Sequence, residues 1–261
     1  MQPRHRVLVT GGEAFLGLNI ASALLAEGAE VTLLVRSGAE DRLGVLANRV
    51  QWYTADVWDA ASLRGRARGH QMVIHTVGSM VADRVRGLTF HRLNVMSARN
   101  VANMCISDGV SNLILFSAAA APWVNGQYVR AKREAEDYLT RVGLNGTVVR
   151  APLVYVRGQQ RPLFYRLMSG LLGNPPLSWL GGSKVAPMPL DVLARGVARM
   201  ALRGANKKIV YANDLRRLNN REELQGRSSV LPQVMQSLQM TDDGALPFDA
   251  IDDETPFGWT P

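Results

Sequence analysis

Arg6-Val-Leu-Val-Thr10, then Gly11-Gly-Glu-Ala-Phe-Leu-Gly17, then an apolar segment to Gly28 with Leu18, Ala21, Leu24 and Leu25 at helical spacing: this opening decides the fold. The first five residues read as a short buried strand and the glycines as a tight turn. The segment behind them reads as a helix that stops at a glycine. A glycine motif is informative only in this setting, after a strand and before a helix. Gly11 permits the turn, and Gly17 lets helix and strand pack closely. The helix N-terminus then offers unpaired N–H groups and a positive dipole end to a phosphate. Ala14 stands where the motif's middle glycine belongs. The same turn could equally serve as a connection that binds nothing.

The pattern repeats outward from there. Glu30–Arg36, Val50–Thr54, Gln71–Val77, Asn112–Ser117 and Gly146–Arg150 read as five further strands. Helices are expected over Leu93–Asp108 and Tyr128–Val142. Strands separated by helix-length segments imply right-handed crossovers. The fold class is therefore α/β, a doubly wound parallel sheet with helices on both faces. Residues 1–212 are assigned to this Rossmann-like domain, with 151–205 supplying a small substrate-side lobe. That lobe holds expected helices at Leu163–Leu172 and Asp191–Leu202 around Gly173-Asn-Pro-Pro-Leu, and a last strand follows at Lys208–Ala212. Residues 213–261 are expected to form an extended acidic tail, with room for one helix near 229–239.

Charge is distributed unevenly. The first 240 residues carry all 30 basic residues against 16 of the 22 acids, a surplus of 14; the last 21 carry six acids and no base. Only Lys132, Lys184, Lys207 and Lys208 are lysine. A basic body suits an anionic partner: nucleic acid, a lipid surface or a phosphorylated ligand. It is also common in organelle matrix proteins. No run of 18 apolar residues appears, which argues against a spanning helix. Cys105 alone excludes an internal disulfide and a multi-cysteine metal site. His5, His70, His75 and His91 lack metal-ligand spacing, so no metal is assigned. No cleavable presequence is visible before the first strand.

Tyr128-Val-Arg-Ala-Lys132 puts a phenol and an ammonium one turn apart on one helix face. The ammonium favours phenolate, so the tyrosine could exchange a proton near neutral pH. Ser117 ends the fifth strand eleven residues earlier, where its hydroxyl could hold a carbonyl oxygen. In a doubly wound sheet the carboxyl ends of the strands face the ligand. Tyr128, Lys132 and Ser117 are thus the candidate catalytic set. A solvated charge network on a surface helix is the plainer alternative. At the end of the second strand, Arg36 suits a 2′-phosphate better than a bare ribose, which favours NADP(H) over NAD(H). Asp56, after the third strand, is placed for an adenine amino edge or for a turn.

In this order, Gly11–Gly17, Asp56-Val57, His75-Thr-Val-Gly78, Asn94–Val101, Ser117, Tyr128-x-x-x-Lys132 and Arg150-Ala-Pro-Leu-Val-Tyr155 resemble the short-chain dehydrogenase/reductase superfamily, extended and atypical branches. Val73–Gly78, the short gap from Ser117 to Tyr128 and Lys132-Arg-Glu-Ala-Glu136 look most like the atypical mitochondrial branch. That branch holds the NADPH-binding accessory subunit of respiratory complex I and coenzyme-Q-associated relatives. The resemblance implies that Gly11, Gly12, Ala14, Phe15, Leu16 and Gly17 bracket the pyrophosphate, Arg36 the adenosine phosphate, and Asp56 and Val57 the adenine. It places Val77 and Gly78 by the ribose, Tyr128 and Lys132 by the nicotinamide ribose, and Pro152 and Val154 by the nicotinamide.

Three functions follow as expectations. The first, implied by the branch resemblance, is an NADP(H)-binding accessory subunit of a large mitochondrial respiratory assembly, on the matrix side of the inner membrane. It would be structural or weakly catalytic, would touch other subunits through the 213–261 tail, and would meet the membrane only indirectly. The second is an active NADP-dependent reductase, dehydrogenase or epimerase using Tyr128, Lys132 and Ser117. The third is an RNA-associated protein on the same fold, with Arg64-Gly-Arg-Ala-Arg68, Arg84-Val-Arg86 and Arg216-Arg217 as contacts.

Overall fold

A computed structural model of the 261-residue chain describes residues 5–85, 87–121, 124–157, 183–205 and 207–225. The helix expected at Leu163–Leu172, the Gly/Pro stretch after it and the possible helix near 229–239 lie outside these residues.

Seven parallel strands make the main sheet: β1 (Arg6–Thr10), β2 (Glu30–Val35), β3 (Gln51–Thr54), β4 (Met72–His75), β5 (Asn112–Ala118), β6 (Asn145–Ala151) and β9 (Ile209–Val210). Their order is β3-β2-β1-β4-β5-β6-β9. The chain starts in the middle, winds outward to β3, returns past β1 and winds out the other way. Central strands are buried on both faces, so they read as continuous apolar runs. Edge strand β3 is exposed along its whole length.

Helices cover both faces. α1 (Phe15–Ala26) and the helix Leu190–Arg203 share one apolar cluster with Val9, Leu33, Ile74 and Val149. An ion pair from Arg199 Nε to Glu27 Oε1 at 2.6 Å ties these two helices together. α2 (Ser97–Asp108) and α3 (Gly126–Arg141) cover the other face with Leu8, Leu34, Val73 and Leu115. A π-helical stretch, His91–Met96, leads into α2, which ends at the left-handed Gly109. Asn125 caps α3 by accepting from the N–H groups of Gln127 and Tyr128.

Two features depart from the sequence reading. β7 (Val154–Tyr155) and β8 (Met188–Pro189) pair as a small second sheet beside the main one. The segment after 212 does not begin as an extended tail: Ala212–Arg217 is a helix with fully buried Leu215, and a short helix follows at Arg221–Gln225. Asn219 Nδ2 donates to Val192 O at 3.1 Å, holding this segment on the helix Leu190–Arg203. The cause is burial of Ala212 and Leu215, a signal too short to show as periodicity.

Candidate active site

The glycine turn joins β1 to α1 at the carboxyl edge of the sheet. Gly11 has a φ of +70°, which a side chain rarely tolerates. A Cβ on Gly17 would run into the Gly11 carbonyl, and one on Gly12 would fall 2.6 Å from Leu33 Cβ. Gly11 is thus set by its backbone conformation, and Gly12 and Gly17 by close approach. Ala14 has φ −82° and ψ 152°, an ordinary extended conformation, so its position needs no glycine. It is the N-cap and gives no side-chain acceptor, and the first turn carries no acid. The N–H groups of Phe15, Leu16 and Gly17 therefore lack an intrahelical acceptor, as a helix start that meets an anion would. This cradle fits a dinucleotide pyrophosphate.

The other sequence-assigned binding residues stand at neighbouring strand ends. Arg36 follows β2 and is half-buried. Asp56 is exposed after β3; its Oδ1 accepts from the Trp58 N–H at 2.8 Å, so it makes a local turn. Val57 and Val77 are buried. Pro152 lies between β6 and the small sheet, and Val154 begins β7 of that sheet with its side chain in the core.

Tyr128 and Lys132 meet these elements from α3. Lys132 is buried, and its Nζ donates to Phe116 O at 3.2 Å and Val77 O at 3.4 Å. It lies 5.9 Å from the Tyr128 ring centroid. Gly78 makes this possible, because a Cβ there would collide with Lys132 Nζ and come within 2.5 Å of Asn94 Oδ1. Asn94 in turn bridges the Ser79 N–H and carbonyl at 3.1 and 3.0 Å. Phe90 packs on Tyr128, ring centroids 6.2 Å apart.

Burial sets the protonation here. It pushes the Lys132 ammonium down to about 8, opposed by the Glu136 charge. It pushes the Tyr128 phenol up, opposed by Arg133. The sequence reading had the lysine lowering the tyrosine; in the folded protein desolvation dominates, and Lys132 spends its protons on two carbonyls. His75 faces the same region from β4. Its Nδ1 meets Thr10 Oγ1 at 2.8 Å, and its Nε2 has no hydrogen-bond partner among the described residues. Burial, then the Lys132 charge, pushes it down to about 3, so it is neutral at physiological pH.

Ser117 has a different engagement. Its hydroxyl donates to Glu136 Oε1 at 2.5 Å and accepts from Arg133 Nη1 at 3.1 Å. Glu136 also pairs with Arg133 and with Arg150, whose Nη2 reaches Oε2 at 2.6 Å. Arg150 Nη1 donates to the Tyr211 hydroxyl at 2.9 Å. A substrate oxygen would have to compete with a buried carboxylate for the Ser117 proton. The next four residues, Ala118–Ala121, bring no hydroxyl. The sequence reading missed this cluster. Its visible traces were Arg133 and Glu136 beside Lys132, read as a solvated charge network, and Arg150 in the sixth strand.

Among the described residues no three His, Cys, Asp or Glu side chains converge as a metal site, and no helix is long and apolar enough to cross a membrane.

The model of a family described as NAD(P)H-binding matches residues 11–162, which span the glycine turn, Tyr128 and Lys132. The chain belongs to this NAD(P)H-binding family. Ceramide reductase of Caulobacter vibrioides (strain NA1000 / CB15N) is 28% identical over 258 residues, covering 96% of this chain and 78% of that protein. The 4-hydroxy-2-methyl-3-oxo-4-farnesyl-3,4-dihydroquinoline-1-oxide ketoreductase of Stigmatella aurantiaca is 32% identical over 243 residues, covering 80% and 68%. Among solved structures, DesIV, a dTDP-glucose 4,6-dehydratase from Streptomyces venezuelae with NAD and TYD bound, matches with a TM-score of 0.57 and 22% identity over 79% of this chain and 74% of that one. The α/β fold and the NAD(P)H cofactor expected from the sequence thus stand at the level of the family. The narrower complex I branch draws no support from these relatives.

Proposed function

We propose that the protein is an NADP(H)-dependent oxidoreductase that reduces a carbonyl group on a lipid-like substrate. The observation that carries this reading is the Tyr128–Lys132 pair, placed by Gly78 beside the carboxyl ends of β4 and β5. Bound in the glycine cradle, the reduced dinucleotide would supply a hydride to the carbonyl carbon. Tyr128 would give its proton to the carbonyl oxygen. Burial keeps that phenol protonated, which suits reduction better than alcohol oxidation. Lys132 would hold the nicotinamide ribose and steady the phenol, while the Val77 and Phe116 carbonyls fix its ammonium. Arg36 would take the 2′-phosphate and so select NADP(H).

The lipid character is suggested by two relatives, one named for ceramide and one for a farnesyl-bearing quinoline oxide. NADPH consumption by the full chain with long-chain ketones, against Tyr128→Phe, tests the reading. Consumption that disappears in the variant supports it. Tight NADPH binding with no consumption, unaltered in the variant, overturns it. The Ser117–Glu136 bond favours that second outcome, a dinucleotide-binding protein without turnover. A native mass far above the monomer in a gently solubilised extract would then return the accessory-subunit reading.

A further inference from the structure

We infer that His75 is a further positioning residue of the dinucleotide site, joined through one bound water to the ammonium of Lys132. Its side chain lies on the sheet face that α2 and α3 cover. Val73 and Val77, two residues to either side, are buried there with Ala98, Val101 and Ala135, while Ile74 belongs to the opposite cluster. The register of β1 and β4 sets Thr10 opposite His75, and Thr10 Oγ1 meets Nδ1 at 2.8 Å. The residue is 1% exposed, and Nε2 has no hydrogen-bond partner among the described residues. Buried polar atoms are almost always paired, and a water that bridges two of them is a common way to pair them.

Lys132 is the complementary group. An ammonium has three protons to donate. Two go to the Phe116 and Val77 carbonyls, and the second of these lies two residues beyond His75. The lysine is buried, and its charge acts on the imidazole. A water that accepts the third proton and donates to Nε2 satisfies both groups. It also selects the tautomer. Nδ1 carries the ring proton and donates to Thr10 Oγ1, and Nε2 turns its lone pair toward the cation. The opposite tautomer would aim a positive N–H edge at an ammonium.

The consequence is a lysine that stays charged and aimed. Burial brings Lys132 down to about 8, close to losing its proton, with Glu136 opposing. The charged and titratable groups around it are Tyr128, Arg133 and Glu136 on α3, His75 on β4 and Arg150 on β6. The π-helical stretch offers the neutral Asn94, and β5 the neutral Ser117. His91 and Arg99 are turned instead to Glu134 and Tyr138. His75 adds a neutral acceptor, and burial keeps it neutral. Because Thr10 precedes Gly11, one imidazole links the glycine turn to Lys132. The inference rests on Lys132 meeting the dinucleotide, as in the proposed function, and not on turnover.

The test reads NADPH binding alone, so its failure is separable from that of the reductase reading. Full-length His75→Leu, His75→Asn and His75→Gln chains are titrated with NADPH between about pH 7 and pH 9, where Lys132 is the group of this set that changes charge. Glutamine carries its amide where Nε2 lies, asparagine where Nδ1 lies. Parent affinity should fall as pH rises through about 8. His75→Leu and His75→Asn remove support from the charged form. Their fall should come about one pH unit lower, leaving affinity at pH 8 about five-fold below the parent's. His75→Gln should follow the parent. Proton–nitrogen correlation spectra of the histidine-labelled parent, assigned by the signal lost in His75→Gln, should show Nε2 without a proton. An affinity flat with pH in the parent, an unmoved midpoint in His75→Leu, a His75→Gln midpoint moved as far as that of His75→Leu, or a proton on Nε2 would each overturn the proposal.

Discussion

The Lys132 ammonium occupies the space into which any side chain on residue 78 would project. Gly78 has a φ of +154°, and its missing Cβ is what lets Nζ reach the Val77 carbonyl while Asn94 closes the other side. One glycine thus couples the end of β4 to α3.

Gly78→Ala should therefore separate these elements. Overpacking of this kind costs about 1–3 kcal/mol. The expected outcome is a lower thermal midpoint together with weaker NADPH binding, read by melting curves with and without the dinucleotide. Equal midpoints for variant and parent would refute the coupling.

Tyr128→Phe removes one hydroxyl and keeps the ring that packs on Phe90. A lost general acid costs roughly 10²–10⁴ in rate. Turnover should fall by that factor while NADPH affinity stays within about two-fold, measured by steady-state kinetics and by fluorescence titration.

Acid stability should carry a His75 signature. The folded-state value near 3 lies below the ordinary 6.5, so between these pH values the unfolded chain binds the extra proton. Stability is unaffected above about 6.5 and falls as pH drops toward 3, by about 1.4 kcal/mol per unit from this group. Urea titrations at several pH values should give a shallower acid slope for His75→Leu than for the parent. Parallel slopes would show that the buried histidine is not the cause.

Glu136→Gln tests the cluster that holds Ser117. Removing one partner of a buried ion pair strands the others. Arg133 and Arg150 are only partly covered, at 27% and 19% side-chain exposure, so water softens the loss. A destabilisation of about 2–3 kcal/mol is expected by denaturant unfolding. Turnover per folded molecule should change less than in Tyr128→Phe, because Glu136 acts through its neighbours.

Arg36→Ala should weaken NADPH binding about ten-fold or more and leave NADH nearly unchanged, since a charge-assisted contact is worth roughly 1.5–3 kcal/mol. Isothermal titration with both dinucleotides decides this, and equal losses would remove Arg36 from the phosphate site.

The sheet and the Tyr128–Lys132 pair were legible because each is written locally. β1, β4 and β5 are apolar runs bounded by turn residues, and an i, i+4 pair on a helix needs no tertiary knowledge. The Glu136 cluster was not. Its partners come from α3, β5 and β6, and only the register that sets Ser117 beside Arg150 brings them together. The direction of the Tyr128 shift was hidden for the same reason. Sequence reveals a nearby charge but not how much water the fold removes. β7 and β8 are two residues each and lie more than thirty positions apart, so no periodicity announced them.

The ion pair between Glu27 and Arg199 spans 172 positions, and the helices it joins share one apolar seam. The helix that packs on α1 is made some 160 residues after it. Until Leu190–Arg203 emerges, the seam residues Ile20, Ala21 and Leu24 lack their cover. The nascent chain carries that unfinished half until position 203 has been made.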